Sequence, residues 1–260
     1  MILALDVGNT NITVGCIVDG DIEHVFRIST NAAKTADEFA IQISSMLAFY
    51  GIEKAKIEGA VMSSVVPQLT NTFKEAVFQL TGAQPVVVGA GVKTGLNILI
   101  DDPAQLGGDM VATAVGTLSS YSLPAIVVDF GTATKLFVLN KSGGFLGGAI
   151  LPGVALSMDA LAAGTSQLPR IPIEAPGCAI SSNTVDCIKS GVVFGAASAI
   201  DGMVDRFEAE LGEGAVVIAT GGLAEAVFHF CRREVLFDPL LTLRGLGVIY
   251  HKNMMSSRRV

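Results

Sequence analysis

Met1-Ile2-Leu3-Ala4-Leu5-Asp6-Val7-Gly8-Asn9-Thr10-Asn11 opens the chain, and Val127-Val128-Asp129-Phe130-Gly131-Thr132-Ala133-Thr134 repeats its plan about half a chain length later. Each is an apolar run that stops at an aspartate, a glycine and a threonine. That pattern reads as a buried strand entering a tight polar turn. Ile12–Val18 and Leu136–Leu139 then read as the returning strands, so each turn is a hairpin tip. Gly8 lets the backbone bend and approach a ligand. Asn9, Thr10 and Asn11 supply short side chains and N–H groups, as a phosphate cradle requires. Asp6 adds a carboxylate suited to a hydrated cation beside that phosphate. One such turn reads equally well as an ordinary polar hairpin. Two, each opening one half of the chain, point to a duplicated fold with a nucleotide between the halves.

The 260 residues suit one large domain or two small ones. Half are hydrophobic, enough for a substantial core, and 29 glycines without a tryptophan suit a turn-rich α/β protein. A net charge of −7 argues against nucleic acid or an anionic membrane as partner. The one basic cluster, Arg258-Arg259, reads as a solvated tail. Cys16, Cys178, Cys187 and Cys231 form no CxxC pair and stand at no ligand spacing from a histidine, so they read as free thiols in a reducing cytoplasm. No basic, apolar leader opens the sequence, and no apolar run approaches the roughly 18–20 residues of a membrane span.

After the first hairpin, Asp19-Gly20 signals a turn into a third strand, 21–30. Thr35-Ala36-Asp37-Glu38 is a capping box that starts a helix running to Tyr50. A strand at 57–63, a helix at 68–80 and a short strand at 85–88 complete a β-β-β-α-β-α-β order. This is the actin-like, ribonuclease-H-like layout of a meander followed by parallel strands with crossover helices. Asp101-Asp102-Pro103 marks a turn, and Gly107-Gly108-Asp109 opens a helix to Ser120. The second half repeats strand, turn and strand, then continues with a Gly-rich strand at 143–150 and a helix after Pro152-Gly153. Leu168–Ile173 is extended because its prolines exclude a helix. A long helix covers 185–211, and its Gly191, Gly195 and Gly202 imply close packing, against a partner helix or subunit. Strand 216–220 ends in a Gly221-Gly222 turn into a helix, either a plain connection or a platform for the adenine side of a nucleotide. A closing helix spans 241–250. The expected domains are therefore 1–120 and 121–260, each a five-stranded mixed sheet with flanking helices and the nucleotide cleft between them, with the last helix returning to the first domain.

His24, His229 and His251 are scattered and match neither a zinc nor a triad pattern. There is no Walker-type P-loop and no Rossmann fingerprint in context. Asp109, at a glycine-rich helix start, has two readings. It is either a cap or first-turn charge, or a general base aimed into a cleft.

At this point the chain resembles the type III pantothenate kinases of the acetate kinase/sugar kinase/actin superfamily, nearly end to end. The resemblance is carried by Asp6-Val7-Gly8-Asn9-Thr10-Asn11, Thr35-Ala36-Asp37-Glu38, Leu106-Gly107-Gly108-Asp109, Asp129-Phe130-Gly131-Thr132-Ala133-Thr134 and Gly148-Ala149-Ile150-Leu151-Pro152-Gly153. Leu168-Pro169-Arg170, Asn183-Thr184, Thr220-Gly221-Gly222-Leu223-Ala224 and the segment Asp238–Leu246 add to it. It implies transfer of the ATP γ-phosphate to the hydroxyl of pantothenate, the first step of coenzyme A biosynthesis, by a cytoplasmic homodimer. Asp6, Val7, Gly8, Asn9, Thr10, Asn11, Ile12 and Thr13 would hold the ATP phosphates, and Thr132 would touch the nucleotide. Asp6 would serve a divalent cation such as Mg2+, and Asp129 a monovalent one, K+ or NH4+. Asp109 would be the general base. Ile100, Gly107, Gly108, Asp109, Met110 and Thr184 would line the pantothenate site.

Three positions depart from the family pattern. Met110 stands where an arginine usually follows the aspartate, Ile100 where a tyrosine often precedes the Asp-x-Pro turn, and Lys135 where a further threonine is usual. A charged bidentate contact to the pantothenate carboxylate is worth roughly 1.5–3 kcal/mol, or about ten- to a hundredfold in binding. Lys135 either compensates for a lost cation or occupies the monovalent cation's place. The departures leave two alternatives beside an active pantothenate kinase. One is a catalytically weak or inactive paralogue that acts as a regulator or as the partner subunit of a hetero-oligomer with a homologue. The other is a kinase for a different small alcohol.

Overall fold

The computed structural model describes residues 1–257, so the Arg258-Arg259 pair lies outside the described residues. The chain divides into two units. Unit 1 comprises residues 1–96, 101–120 and the segment from 240 onward; unit 2 comprises 97–100 and 121–239.

Unit 1 is built on β1 (Ile2–Val7), β2 (Asn11–Val18), β3 (Asp21–Ser29), β4 (Gly59–Ser64) and β5 (Val86–Val87), in the order β3-β2-β1-β4-β5. The first three strands form an antiparallel meander, and β4 and β5 add in parallel. Asp19 and Gly20 both take positive φ, 52° and 97°, the backbone that a tight hairpin turn requires. Helix α1 (Ala36–Phe49) starts at the expected capping box: the Thr35 hydroxyl accepts from Glu38 N, and Glu38 accepts from Thr35 N. Pro67 sits in the first turn of α2 (Pro67–Thr81), where its missing N–H costs nothing. Phe39, Ile43 and Leu47 of α1 and Leu69 and Phe73 of α2 are buried with Leu3, Leu5 and Val7 of β1. The period of 2 in the strand and of 3–4 in the helices thus meets in one core. Helices α3 (Gly108–Ser120) and α6 (Leu241–Ser257) also belong to unit 1 and pack closely on each other. A Cβ on Gly116 would overlap the Leu241 carbonyl, and one on Gly245 the Ala112 carbonyl. Thr113 and Thr242 hydroxyls bond across this seam at 2.8 Å.

Unit 2 contains β7 (Ala125–Phe130), β8 (Ala133–Leu139), β9 (Gly144–Pro152), β10 (Val216–Thr220) and β11 (Leu236–Phe237). They follow the plan of unit 1: an antiparallel meander, with β10 and β11 parallel beside β7. The expected five strands become six, because β6 (Asn97–Ile98) adds in parallel to the β9 edge. Its two paired residues, inside an irregular Gly-rich stretch, are too short to announce themselves by alternation. Helices α4 (Val154–Gly164) and α5 (Thr184–Leu211) cover the sheet.

Three further expectations change. The Gly221-Gly222 turn leads into two 3₁₀ turns, Ala224–Ala226 and Phe228–Phe230, not an α-helix. Leu223 N donates back to Phe130 O, which pulls the chain onto the sheet before a helix can start. Gly191 and Gly195 face open space among the described residues, so no close packing within the chain explains them. Helix α6 continues to Ser257, well past Tyr250. By length and composition α5, 28 residues with an 18-residue window of mean hydropathy 1.3, would suffice to cross a membrane. It buries Ile188, Val192, Ala197, Ile200 and Val204 in the unit 2 core, however, and carries seven charged side chains between Asp186 and Glu210, as a core helix of a folded domain does.

Candidate active site

The first turn is held from three sides. Gly8 N donates to Asn11 O at 3.1 Å, closing the loop on itself, and a Cβ on Gly8 would stand 2.9 Å from that carbonyl. Thr30, at the end of β3, donates its hydroxyl to Gly8 O at 2.7 Å and its amide to Thr10 O at 3.0 Å. The loop's carbonyls are thus engaged by the sheet and its shape is fixed. Asn9, Thr10 and Asn11 are exposed, Ile12 is buried under the hairpin and Thr13 is half-buried. Asp6 lies in β1 with Thr13 opposite on β2 and Ser63 opposite on β4. Ser63, fully buried, donates its hydroxyl to Asp6 Oδ1 at 2.8 Å. A buried hydroxyl on one oxygen aims the carboxylate.

The same corner of unit 1 receives the start of α3. A Cβ on Gly108 would contact Ser63 Cβ at 3.6 Å and Val88 O at 3.1 Å, so the helix start approaches β4 closely enough to favour glycine. Asp109 is in the first turn and is not the N-cap residue; its Oδ1 accepts from Met110 N at 2.8 Å. A Cβ on Gly107 would stand 2.6 Å from that same Oδ1. Gly107 and Gly108 therefore make room for the Asp109 carboxylate on one side and for β4 on the other. The helix N-terminus favours a negative charge there. Ser63 thus bonds Asp6 and also packs against Gly108, the residue before Asp109, which is itself half-buried.

The second turn is set by the β7–β8 register. Gly131, Thr132 and Ala133 lie between the facing residues Phe130 and Thr134, and the next pair sets Asp129 opposite Lys135. Lys135 Nζ lies 2.8 Å from Asp129 Oδ2, both side chains about one-fifth exposed. Thr220 of β10 pairs with Asp129 from the other side. Thr132 is exposed at the tip. Two glycines from outside the hairpin press against this loop. A Cβ on Gly153 would overlap the carbonyls of Gly131 and Thr132. Gly221, at φ 95°, could carry none without standing 2.6 Å from Asp129 Oδ1.

Of the remaining expected site residues, Ile100 belongs to unit 2, where its Cγ2 lies 3.7 Å from the position of a Gly147 Cβ. Thr184 is exposed in unit 2, in the first turn of α5, whose N-cap Asn183 accepts from Asp186 N at 2.9 Å. Met110 is half-buried beside Asp109. Thr30, Ser63, Gly153 and Gly221 were missed as supports of the site. Only Gly153 and Gly221 carried a signal, as members of glycine-bearing motifs. Among the described residues no three His, Cys, Asp or Glu side chains gather as a metal cage.

The family model for type III pantothenate kinase matches residues 2–206. This chain belongs to that family. The type III pantothenate kinase of Moorella thermoacetica is 40% identical over 253 residues, covering 97% of this chain and all of that protein. Among solved structures, a Campylobacter jejuni protein described as a Baf family transcriptional activator superposes with a TM-score of 0.63 at 19% identity, covering 97% of this chain and 99% of that one. An inorganic polyphosphate/ATP-glucomannokinase from an Arthrobacter species gives 0.50 at 13% identity, covering 98% of each. The two likenesses, to a protein named as an activator and to a sugar kinase, show a shared fold. Both units of this family member are actin-like α/β domains.

Proposed function

We propose that the chain transfers the γ-phosphate of ATP to the hydroxyl of pantothenate, giving 4'-phosphopantothenate for coenzyme A biosynthesis. The observation that carries this reading is the constellation in unit 1: a braced Asp-x-Gly-x-Thr turn whose Asp6 is held by Ser63, and the start of α3, which brings Gly108 against Ser63 and sets a half-buried Asp109 next in the chain. It agrees with family membership across nearly the whole chain. The segment Asp6–Thr13 binds the phosphates, and Thr132 touches the nucleotide from the second turn. Asp109 accepts the proton of the pantothenate hydroxyl as it attacks phosphorus; a carboxylate within hydrogen-bond reach of the acceptor is all that step requires. Gly107, Gly108, Met110, Ile100 and Thr184 line the acceptor site.

A divalent cation fits the first turn. Gly8 leaves a cradle that a side chain would fill, and Asp6 offers hard oxygen donors. The single carboxylate suits Mg2+, which takes most of its ligands from phosphates and water and neutralises phosphate charge when bound. A K+ or NH4+ ion at Asp129 does not fit in the same way, because Lys135 Nζ already lies 2.8 Å from that carboxylate; no step is assigned to such an ion.

For oligomeric state we favour a homodimer through unit 2. There Ile150, Leu156, Leu161, Ile180 and Val185 are exposed apolar side chains, and Gly191 and Gly195 of α5 present bare backbone. Exposed apolar surface beside bare backbone suits a second copy of the chain. A cytoplasmic location follows from the metabolic role. Phosphorus NMR of the products tests the reaction: a phosphomonoester signal should appear with ATP, Mg2+ and pantothenate and be absent when pantothenate is omitted. Equal ATP hydrolysis with and without pantothenate would refute it.

A further inference from the structure

We propose that Lys135 is a built-in cation of the second phosphate turn, so that catalysis in this chain needs no K+ or NH4+. The inference rests on the kinase reading above and concerns the same site. Its basis is the difference between two hairpins of one plan. In both, an aspartate ends the first strand and is flanked across the sheet by one residue of the returning strand and one of the parallel neighbour. Asp6 has Thr13 and Ser63 in those places, and Asp129 has Lys135 and Thr220.

Three of those four neighbours are hydroxyl side chains, which help orient a carboxylate and leave its charge for an external cation. The fourth is an ammonium, 2.8 Å from Asp129 Oδ2. Its position is dictated by register: with Gly131, Thr132 and Ala133 between the facing residues Phe130 and Thr134, residue 135 stands opposite residue 129. A second positive ion on the same carboxylate would meet the like charge of Lys135 at close range, in a site only about one-fifth exposed, where solvent screens weakly. The ammonium brings three donors, one of which reaches Asp129. A tethered cation is always present, whereas a diffusible one is bound only in proportion to its concentration.

The test compares the purified full chain, freed of K+ and NH4+, in NaCl, KCl and NH4Cl at equal ionic strength. Two readouts are taken: melting temperature with Mg2+-ATP, and pantothenate-dependent ADP release. The wild type is expected to melt at one temperature and turn over at one rate in all three salts. Lys135→Thr should acquire a selective rise in melting temperature with K+ or NH4+, and a several-fold gain in rate with those ions over Na+. Lys135→Arg, which keeps the charge, should stay indifferent to the salt. A wild type that melts higher, or works only, in K+ or NH4+ would overturn the proposal, as would a folded Lys135→Thr that keeps full salt-independent activity. If the Thr variant does not fold, the wild type and Lys135→Arg still decide. Absence of turnover in every salt would remove the kinase reading, while the melting temperatures, which need no turnover, would still answer for Lys135.

Discussion

Asp109 and Met110 stand side by side at the start of α3 and are assigned opposite consequences. Asp109 is half-buried, aimed by its place in the first turn and given room by Gly107. Asp109→Asn removes the proton acceptor and leaves the shape, so kcat should fall by about 10²–10⁴-fold with little change in melting temperature. An unchanged kcat would show that the residue serves only as a first-turn charge. Met110 offers no charge to a substrate carboxylate. Met110→Arg should lower the KM for pantothenate by about ten- to a hundredfold, with a smaller effect on kcat. A KM that does not move would place the carboxylate elsewhere. At this scale the sequence shows which residue types are present but not what braces them. Thr30 and Ser63 hold the first turn across the sheet, and their partners lie 22 and 57 positions away, so local pattern says nothing of them.

The two hairpins show how much an element's own sequence can settle. The strand–turn–strand units, the Thr35 capping box and the Pro67 helix start follow from local chemistry, and the structure has them where periodicity puts them. The pairing of Lys135 with Asp129 was less legible: a two-residue Gly131-Thr132 tip would put Thr134 opposite Asp129, and only the third tip residue, Ala133, brings Lys135 there. The 3₁₀ turns after Gly222 were not legible. Leu223-Ala224-Glu225-Ala226 has good helix propensity, and a single non-local bond from Leu223 N to Phe130 O overrides it. Gly153 acts at the same scale: it seats the entry to α4 on the carbonyls of the second turn. Gly153→Ala should displace that turn, costing about 1–3 kcal/mol of stability and raising the KM for ATP more than that for pantothenate. Equal KM values in mutant and wild type would detach Gly153 from the nucleotide side. Helix α5 is tied to the strand that follows it by Glu208, which accepts from Ala215 N at 3.0 Å and from Arg233. Those bonds, the backbone one first, hold its carboxyl below the ordinary value of 4.5. A depressed carboxyl stabilises the folded state above its unfolded pKa, and that stability is lost as pH falls through the folded value. The melting-temperature gap between wild type and Glu208→Gln should therefore be widest near neutral pH and close in acid; a gap that widens in acid would reverse the assignment.

At the scale of the whole molecule, the repeat of one strand plan explains why so much of the fold could be read from two short stretches. β3-β2-β1-β4-β5 and β9-β8-β7-β10-β11 share their order and directions, and the extra edge strand β6 is the part that no repeat announces. The fold is shared with proteins named for other activities, so the activity rests on the family and on the unit 1 constellation rather than on architecture. The apolar side chains on unit 2 lead to an expected dimer in light scattering at micromolar concentration, and Ile150→Glu should shift it toward monomer; a wild-type monomer would leave that surface without its proposed occupant. The most direct test of the central claim is ADP release by the purified chain alone, with Mg2+-ATP and millimolar pantothenate. Turnover should require pantothenate and should fall by about 10²–10⁴-fold in Asp109→Asn. Release that is the same with and without pantothenate, or none at all from the folded chain, would contradict it.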